Sequence, residues 1–290
     1  MGEPTTHKLE TDGAVLRYDV RDGDGPVLLM VGSPMDAGGF VTLASHFPDR
    51  KVVTYDPRGI GRSEVTGDAA ESTPEQHADD LHRLIAAVGD GPVDVFASSG
   101  GAVNALALVA RHPGQVRTLV AHEPPAVQVL PDRGPALAAT EGIRRIYDEQ
   151  GFGPAMVRFF ALTAWAGEIP DGFAYQPAPD PGDFGLPTQD DGSRTDPLLG
   201  RNLISCTHYE HDFEALRAAP TRIVIGVGAE SEGQLAYRAG RAVADRLGAG
   251  PVTFPSHHGG FLGGEFGMKG DPDGFAVTLR QVLDGENDES

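Results

Sequence analysis

Cysteine occurs once in this 290-residue chain, as Cys206. No intrachain disulfide can form, and a reducing compartment is the default for such a chain. Positive charge is scarce as well: 23 Lys and Arg stand against 42 Asp and Glu, a formal net charge of −19. No Lys/Arg cluster occurs anywhere, which excludes the basic face that nucleic acid or an anionic membrane would need. No apolar run reaches the length of a membrane span, and the opening MGEPTTHKLE has no apolar signal-like region. We therefore expect a soluble, cytoplasmic protein. The 39 glycines and 23 prolines show no repeat period, so a collagen-like chain is excluded. Hydrophobic residues make up 40% of the chain, enough for one large domain or for a core domain carrying an insertion. The acidic end GENDES reads as a frayed, solvated tail.

Apolar runs at 26–32 (PVLLMVG), 51–56 (KVVTYD), 92–97 (PVDVFA), 116–122 (VRTLVAH), 222–227 (RIVIGV) and 251–254 (PVTF) read as strands, most of them buried on both faces. Between them lie helical spacings. Leu81, Leu84, Ile85 and Val88 share one face, as do Val103, Leu106, Ala107 and Ala110. Further helices are expected near Leu235–Leu247 and around Phe275, Leu279, Val282 and Leu283. Strands alternating with helices predict an α/β fold with a mostly parallel sheet and helices on both faces. The stretch 126–218 breaks the alternation. It holds an aromatic-rich helical segment at 143–167 and a long Pro/Gly/Asp loop. We read it as an inserted, mainly helical cap on a core formed by 1–125 and 219–290. The rival reading is a disordered insertion.

The segment DVFASSGGAVNAL (94–106) sets two serines between a strand and a helix. A nucleophile on a sharp strand-to-helix turn needs small residues two before and two after it. For Ser98 these would be Phe96 and Gly100, and Phe96 is too large; for Ser99 they are Ala97 and Gly101, and both fit. Ser99 is thus the candidate, with the Gly100 amide at the helix start placed to stabilise an oxyanion. A serine-rich turn that merely caps a helix remains the alternative.

With these residues in order, the chain resembles the α/β-hydrolase family from roughly residue 12 to residue 284. Val31-Gly32-Ser33-Pro34 resembles the family's His-Gly-x-Pro turn, with Val31 in place of the usual His. The resemblance implies Ser33 as the second oxyanion donor, with Met35 as the alternative. The segment Asp56–Ser63 looks like the family's Asp-x-Arg-Gly-x-Gly-x-Ser, which implies an Asp–Arg network bracing the nucleophile loop and no catalytic part. Pro255-Ser256-His257-His258-Gly259-Gly260-Phe261 is similar to the loop carrying the catalytic histidine, and the register implies His258. His257 is then either a neighbour that tunes the site or a surface residue. The usual acid position, in the turn Gly228-Ala229-Glu230-Ser231, holds Ser231. Some relatives carry the acid after the preceding strand, spaced as in Val116–Glu123, so Glu123 is the first candidate and Glu230 the second.

These parts imply a serine hydrolase acting on a small or medium apolar ester or lactone, with no cofactor and no metal. His208, Glu210, His211 and Asp212 form a ligand-like cluster, but in cap sequence, where a solvated helix end is the plainer reading. Tyr147, Phe152, Phe159, Phe160, Trp165, Phe173 and Tyr175 roof an apolar pocket or form cap core. The acidic field favours a neutral or cationic small-molecule substrate over a polyanion. Two alternatives stand: the same triad used for C–C bond hydrolysis, lyase or perhydrolase chemistry, and a non-enzymatic small-molecule sensor.

Overall fold

The computed structural model describes residues 3–66, 72–89 and 91–285, so the GENDES tail lies outside the described residues after Gly285. Nine strands form one sheet among these residues: β1 (Thr5–Thr11), β2 (Ala14–Arg21), β3 (Gly25–Val31), β4 (Arg50–Asp56), β5 (Glu64–Val65), β6 (Val93–Ser98), β7 (Val116–His122), β8 (Arg222–Gly228) and β9 (Val252–Phe254). Their spatial order is β1-β2-β4-β3-β6-β7-β8-β9, with β5 beside β2. The pairings of β2 with β1, β4 and β5 are antiparallel, and every pairing from β4 to β9 is parallel.

Both faces of the parallel strands are buried, which is why they read as continuous apolar runs. On one face Val53, Val95 and Leu119 pack with helices α2 (Pro74–Val88) and α3 (Gly100–Arg111) through Leu81, Leu84, Leu106 and Val109. On the other face Val52, Phe96 and Val120 meet α1 (Val41–Ser45) and α9 (Pro272–Asp284) through Leu43, Phe275, Leu279 and Val282. Local signals place the helices well. Thr73 and Gln76 cap α2 reciprocally, with Pro74 as its first residue, a device that stabilises a helix start by about 1 kcal/mol.

The segment between β7 and β8 carries α4 (Arg133–Gln150), α5 (Phe152–Ala164), α6 (Leu203–Thr207) and α7 (Phe213–Ala218), with no strand among its described residues. The expected helical segment at 143–167 is two helices, because Gly151 at φ 86° breaks it. This segment has its own apolar cluster, built on Ile143, Tyr147, Met156, Leu162, Phe173 and Leu199. The cluster is shared. Leu235 and Ala239 of α8 (Leu235–Leu247) belong to it, and Arg238 of the same helix pairs with Asp132. By contrast, Leu216 of α7 packs in the main cluster under the sheet. Tyr147 and Phe173 are buried, whereas Phe160, Trp165 and Tyr175 are exposed. Among the described residues no helix is long and apolar enough to cross a membrane.

Candidate active site

The C-terminal edges of β3, β6, β7, β8 and β9 converge on one site. β6 ends at Ser98, Ser99 follows at φ 56° and ψ −128°, and α3 starts at Gly100. A non-glycine residue with this backbone is strained, and such strain is characteristic of a nucleophile turn. The small neighbours are required by close approach: a Cβ on Gly101 would come 2.4 Å from the Val31 carbonyl oxygen. Phe96 cannot share that space; it is buried against Phe40, Phe261 and Phe275 on the far face of the sheet. Ser98 is buried in the strand, and Ser99 is partly exposed at the turn. The first amides of α3 have no partner within the helix, so the helix start presents free N–H groups and partial positive charge beside Ser99.

The adjacent strand makes a second strained turn. Ser98 pairs with His122 in register, Ser99 N donates to His122 O at 3.0 Å, and the next residue, Glu123, has φ 46°. The Glu123 side chain is fully buried. Its Oε1 accepts from the Gly228 amide at 2.8 Å, and its Oε2 lies 2.5 Å from His258 Nδ1. Burial alone would raise the Glu123 pKa, but the hydrogen bond from His258, the charges that His122 and His258 carry when protonated, and the Gly228 amide together bring it down to about 2. An ionised carboxylate only accepts, so the proton of this bond sits on His258 Nδ1 and Nε2 is left as the acceptor. The His258 side chain is 40% exposed, whereas its Glu123 partner is fully enclosed. Ser99 Oγ carries no hydrogen bond to a described residue; the pairing of β6 with β7 sets the Ser99 backbone beside His122, the residue before Glu123.

The doublets separate cleanly. His257 is tied to its own loop, accepting from Gly259 N at 3.0 Å, and makes no bond to Glu123. Glu230 and Glu232 are exposed, and neither side chain bonds to His258. Ser231 is buried, with its hydroxyl unpartnered.

Ser33 and Gly100 come together. A Cβ on Gly100 would lie 2.6 Å from the Ser33 carbonyl oxygen and 3.1 Å from Cys206 Sγ. Met35 lies on the same loop, its side chain packed against Gly32 and Gly39. The Asp–Arg network braces this loop. Asp56 accepts from the Ala37 amide at 3.0 Å and from Arg62 Nε at 2.7 Å, while Arg58 forms two 2.8 Å bonds to Asp80 of α2. It therefore supports the turn after β3, where the resemblance implied the nucleophile loop. Asn202 had no signal in the sequence; it accepts from Ser33 Oγ at 2.9 Å, a contact across 169 positions that no local pattern encodes.

No group of three or more His, Cys, Asp and Glu among the described residues could hold a metal ion. In the sequence cluster near 208–212, His208 Nε2 bonds to Thr140 Oγ1, His211 packs between Tyr209 and Phe213, and Asp212 caps α7.

Comparison with known proteins gives this arrangement a context. A family model described as the alpha/beta hydrolase fold matches residues 25–168. The uncharacterized hydrolase YraK of Bacillus subtilis is 32% identical over 267 residues, covering 87% of this chain and 89% of its own length. A thermophilic esterase from Thermogutta terrifontis superposes with a TM-score of 0.68 at 18% identity, covering 98% of both chains. The enol-lactonase from Burkholderia xenovorans superposes with a TM-score of 0.59 at 17% identity, covering 96% of this chain and 100% of its own. The sheet order, the strained serine turn and a relative matched over nearly the whole chain lead to the same place: this protein belongs to the α/β-hydrolase family.

Proposed function

We propose that the chain is a serine hydrolase that cleaves a small or medium apolar carboxylic ester or lactone through an acyl-enzyme. The observation that carries this reading is the 2.5 Å contact between His258 Nδ1 and the buried Glu123 carboxylate, next to the strained Ser99 turn. Two structural neighbours, an esterase and an enol-lactonase, support the substrate class. Ser99 Oγ attacks the ester carbonyl carbon while His258 Nε2 takes its proton. The carbonyl oxygen becomes an oxyanion, which the Gly100 amide and the Ser33 amide receive, with Met35 N as the alternative second donor. Glu123 holds the imidazole in the Nδ1–H tautomer and stabilises the imidazolium. His258 returns the proton to the leaving alkoxide. It then takes a proton from water as the water oxygen bonds to the acyl carbon; the second tetrahedral intermediate collapses with cleavage of the bond to Ser99 Oγ, which receives that proton from His258 as the acid product leaves. This route uses no metal and no cofactor. The segment 126–218 acts as the cap over the site, and the negative protein field favours a neutral or cationic substrate.

A panel of p-nitrophenyl esters together with fluorophosphonate labelling tests the assignment. Ser99→Ala is expected to lose labelling and to lower kcat by about 10⁴–10⁶, whereas Ser98→Ala keeps most of both. An active, labelled Ser99→Ala protein removes the proposed chemistry.

A further inference from the structure

The segment between β7 and β8 meets the loop after β3 at a buried polar contact. Ser33 Oγ donates to Asn202 Oδ1 at 2.9 Å, and both residues are almost fully buried. The orientation of the Asn202 amide is fixed independently. Its Nδ2 donates to the Pro197 carbonyl at 3.0 Å, and a carbonyl only accepts, so the oxygen must be the end that faces Ser33.

Asn202 closes a π turn, Leu198–Asn202. Such turns are rare and occur frequently at functional sites. This one is held from several sides. The Asp196 amide donates to the buried Tyr147 hydroxyl at 2.9 Å, the Leu199 amide to Asp196 Oδ1 at 2.8 Å, and Arg144 Nη1 to the Gly200 carbonyl at 3.0 Å. One helical turn further on, Cys206 Sγ packs 3.1 Å from where a Gly100 Cβ would be. Beneath the loop, Val31 is buried in the apolar cluster and offers no polar support. Asp56 holds the far end of the loop through the Ala37 amide, and the side-chain bond to Ser33 itself comes from Asn202.

We propose that Asn202 is a positioning residue for the oxyanion site: through Ser33 Oγ it sets the loop whose amide faces the developing charge, so the site is complete only when the π turn is seated on it. This rests on the reading of Ser99 as nucleophile and of the Ser33 loop as a donor. The alternative donor, Met35, sits on the same loop and is set by the same contact. Gly100 and the Ser33 loop are already in van der Waals contact, so a small tilt of the loop changes the donor geometry directly. A misplacement of about 1 Å can cost on the order of 10²-fold in rate.

A buried bond that served only the fold would change stability and leave transition-state recognition alone. The two roles separate by measuring Asn202→Ala, Ser33→Ala and the double variant in the full chain. The readouts are p-nitrophenyl butyrate hydrolysis, thermal unfolding, and binding of an aryl trifluoromethyl ketone. Ser99 Oγ adds to the ketone carbon as its proton passes to His258, and the carbonyl π pair becomes the oxyanion. Each single variant is expected to lower kcat by about 10- to 100-fold with KM within about threefold. Ketone affinity should fall by the same factor as kcat/KM, and the double variant should be no worse than the worse single. If Asn202→Ala fails to fold, Ser33→Ala, which removes one oxygen atom, carries the test. An unchanged kcat, a ketone affinity that stays at the wild-type value, or losses that multiply in the double variant overturn the proposal. An Asn202→Ala enzyme with full activity beside a dead Ser99→Ala refutes only the role of Asn202, whereas an active Ser99→Ala refutes the underlying reading.

Discussion

Replacing Glu123 by Gln keeps the side-chain shape and removes the charge, and the structure fixes what each amide atom must do. The Gly228 amide donates to one oxygen of Glu123 and His258 Nδ1 to the other. In the Gln variant the amide oxygen can keep the Gly228 bond, which turns the NH₂ towards His258. Two donors cannot face each other, so the imidazole must change tautomer. Nδ1 becomes the acceptor and Nε2 carries the proton, leaving His258 unable to accept one from Ser99. Loss of the equivalent orienting charge in the serine-protease triad lowers kcat by about 10⁴, and we expect the same order here with KM changed little. Stability should fall too. The Glu123 pKa is lowered from 4.5 to about 2, and at about 1.4 kcal/mol per unit this places the stabilisation from ionisation on the order of 3 kcal/mol above pH 4.5. Urea unfolding at pH 7 should show that loss, and the difference between the two proteins should shrink as pH falls from 4.5 towards 2, where wild-type Glu123 takes up its proton. Glu230→Gln, at an exposed position, should remain within a few-fold of wild type. A Glu123→Gln enzyme within tenfold of wild-type kcat, or a dead Glu230→Gln, would refute the tautomer argument and move the acid to the later strand.

Two further outcomes follow from buried groups and shared packing. His77 and His122 are buried, and desolvation lowers their pKa from 6.5 to about 3 and about 4. Below pH 6.5 the unfolded chain binds protons that the folded chain refuses, so stability falls with pH by about 1.4 kcal/mol per unit for each group. The urea midpoint should drop steeply between pH 6 and pH 4 and less so in His77→Gln; a midpoint that is flat over this window contradicts the assignment. Deleting about residues 126–218 with a short linker should expose Leu235 and Ala239 of α8 and unpair Arg238, since all three contact that segment. The remaining core should bind a hydrophobic dye and recover solubility when Leu235 is made polar, and a shortened core that is soluble without that change shows that the segment does not share its packing with α8.

The parallel strands were legible because helices cover both faces of the sheet and leave unbroken apolar runs; the boundaries of β4, β6 and β7 differ from the sequence reading by no more than one residue. The hairpin of β1 and β2 was not read. Most of β1 is exposed and mixes Thr, His, Lys and Glu, so no apolar alternation marks it. The break between α4 and α5 was marked by Gly151, but a single glycine inside a helical spacing does not by itself end a helix. At the site, the residues that local rules constrain were legible: a serine between Ala97 and Gly101, and a histidine counted from Pro255. Asn202 was not, because its partner is set by where the π turn lands on the sheet.

Ser231 shows how the two levels meet. It stands where the acid usually stands, is buried, and its hydroxyl has no partner. The turn that carries it is not idle, since the Gly228 amide three residues earlier donates to Glu123 Oε1. A carboxylate at 231 would place a second buried negative charge beside the first, and neighbouring buried carboxylates raise each other's pKa until one is neutral. A neutral residue at 231 and an acid at 123 therefore form a consistent pair. The later turn keeps its backbone donor, and the charge comes from the end of β7. A neutral Ser231 thus adds no second buried charge to the turn whose Gly228 amide already holds Glu123.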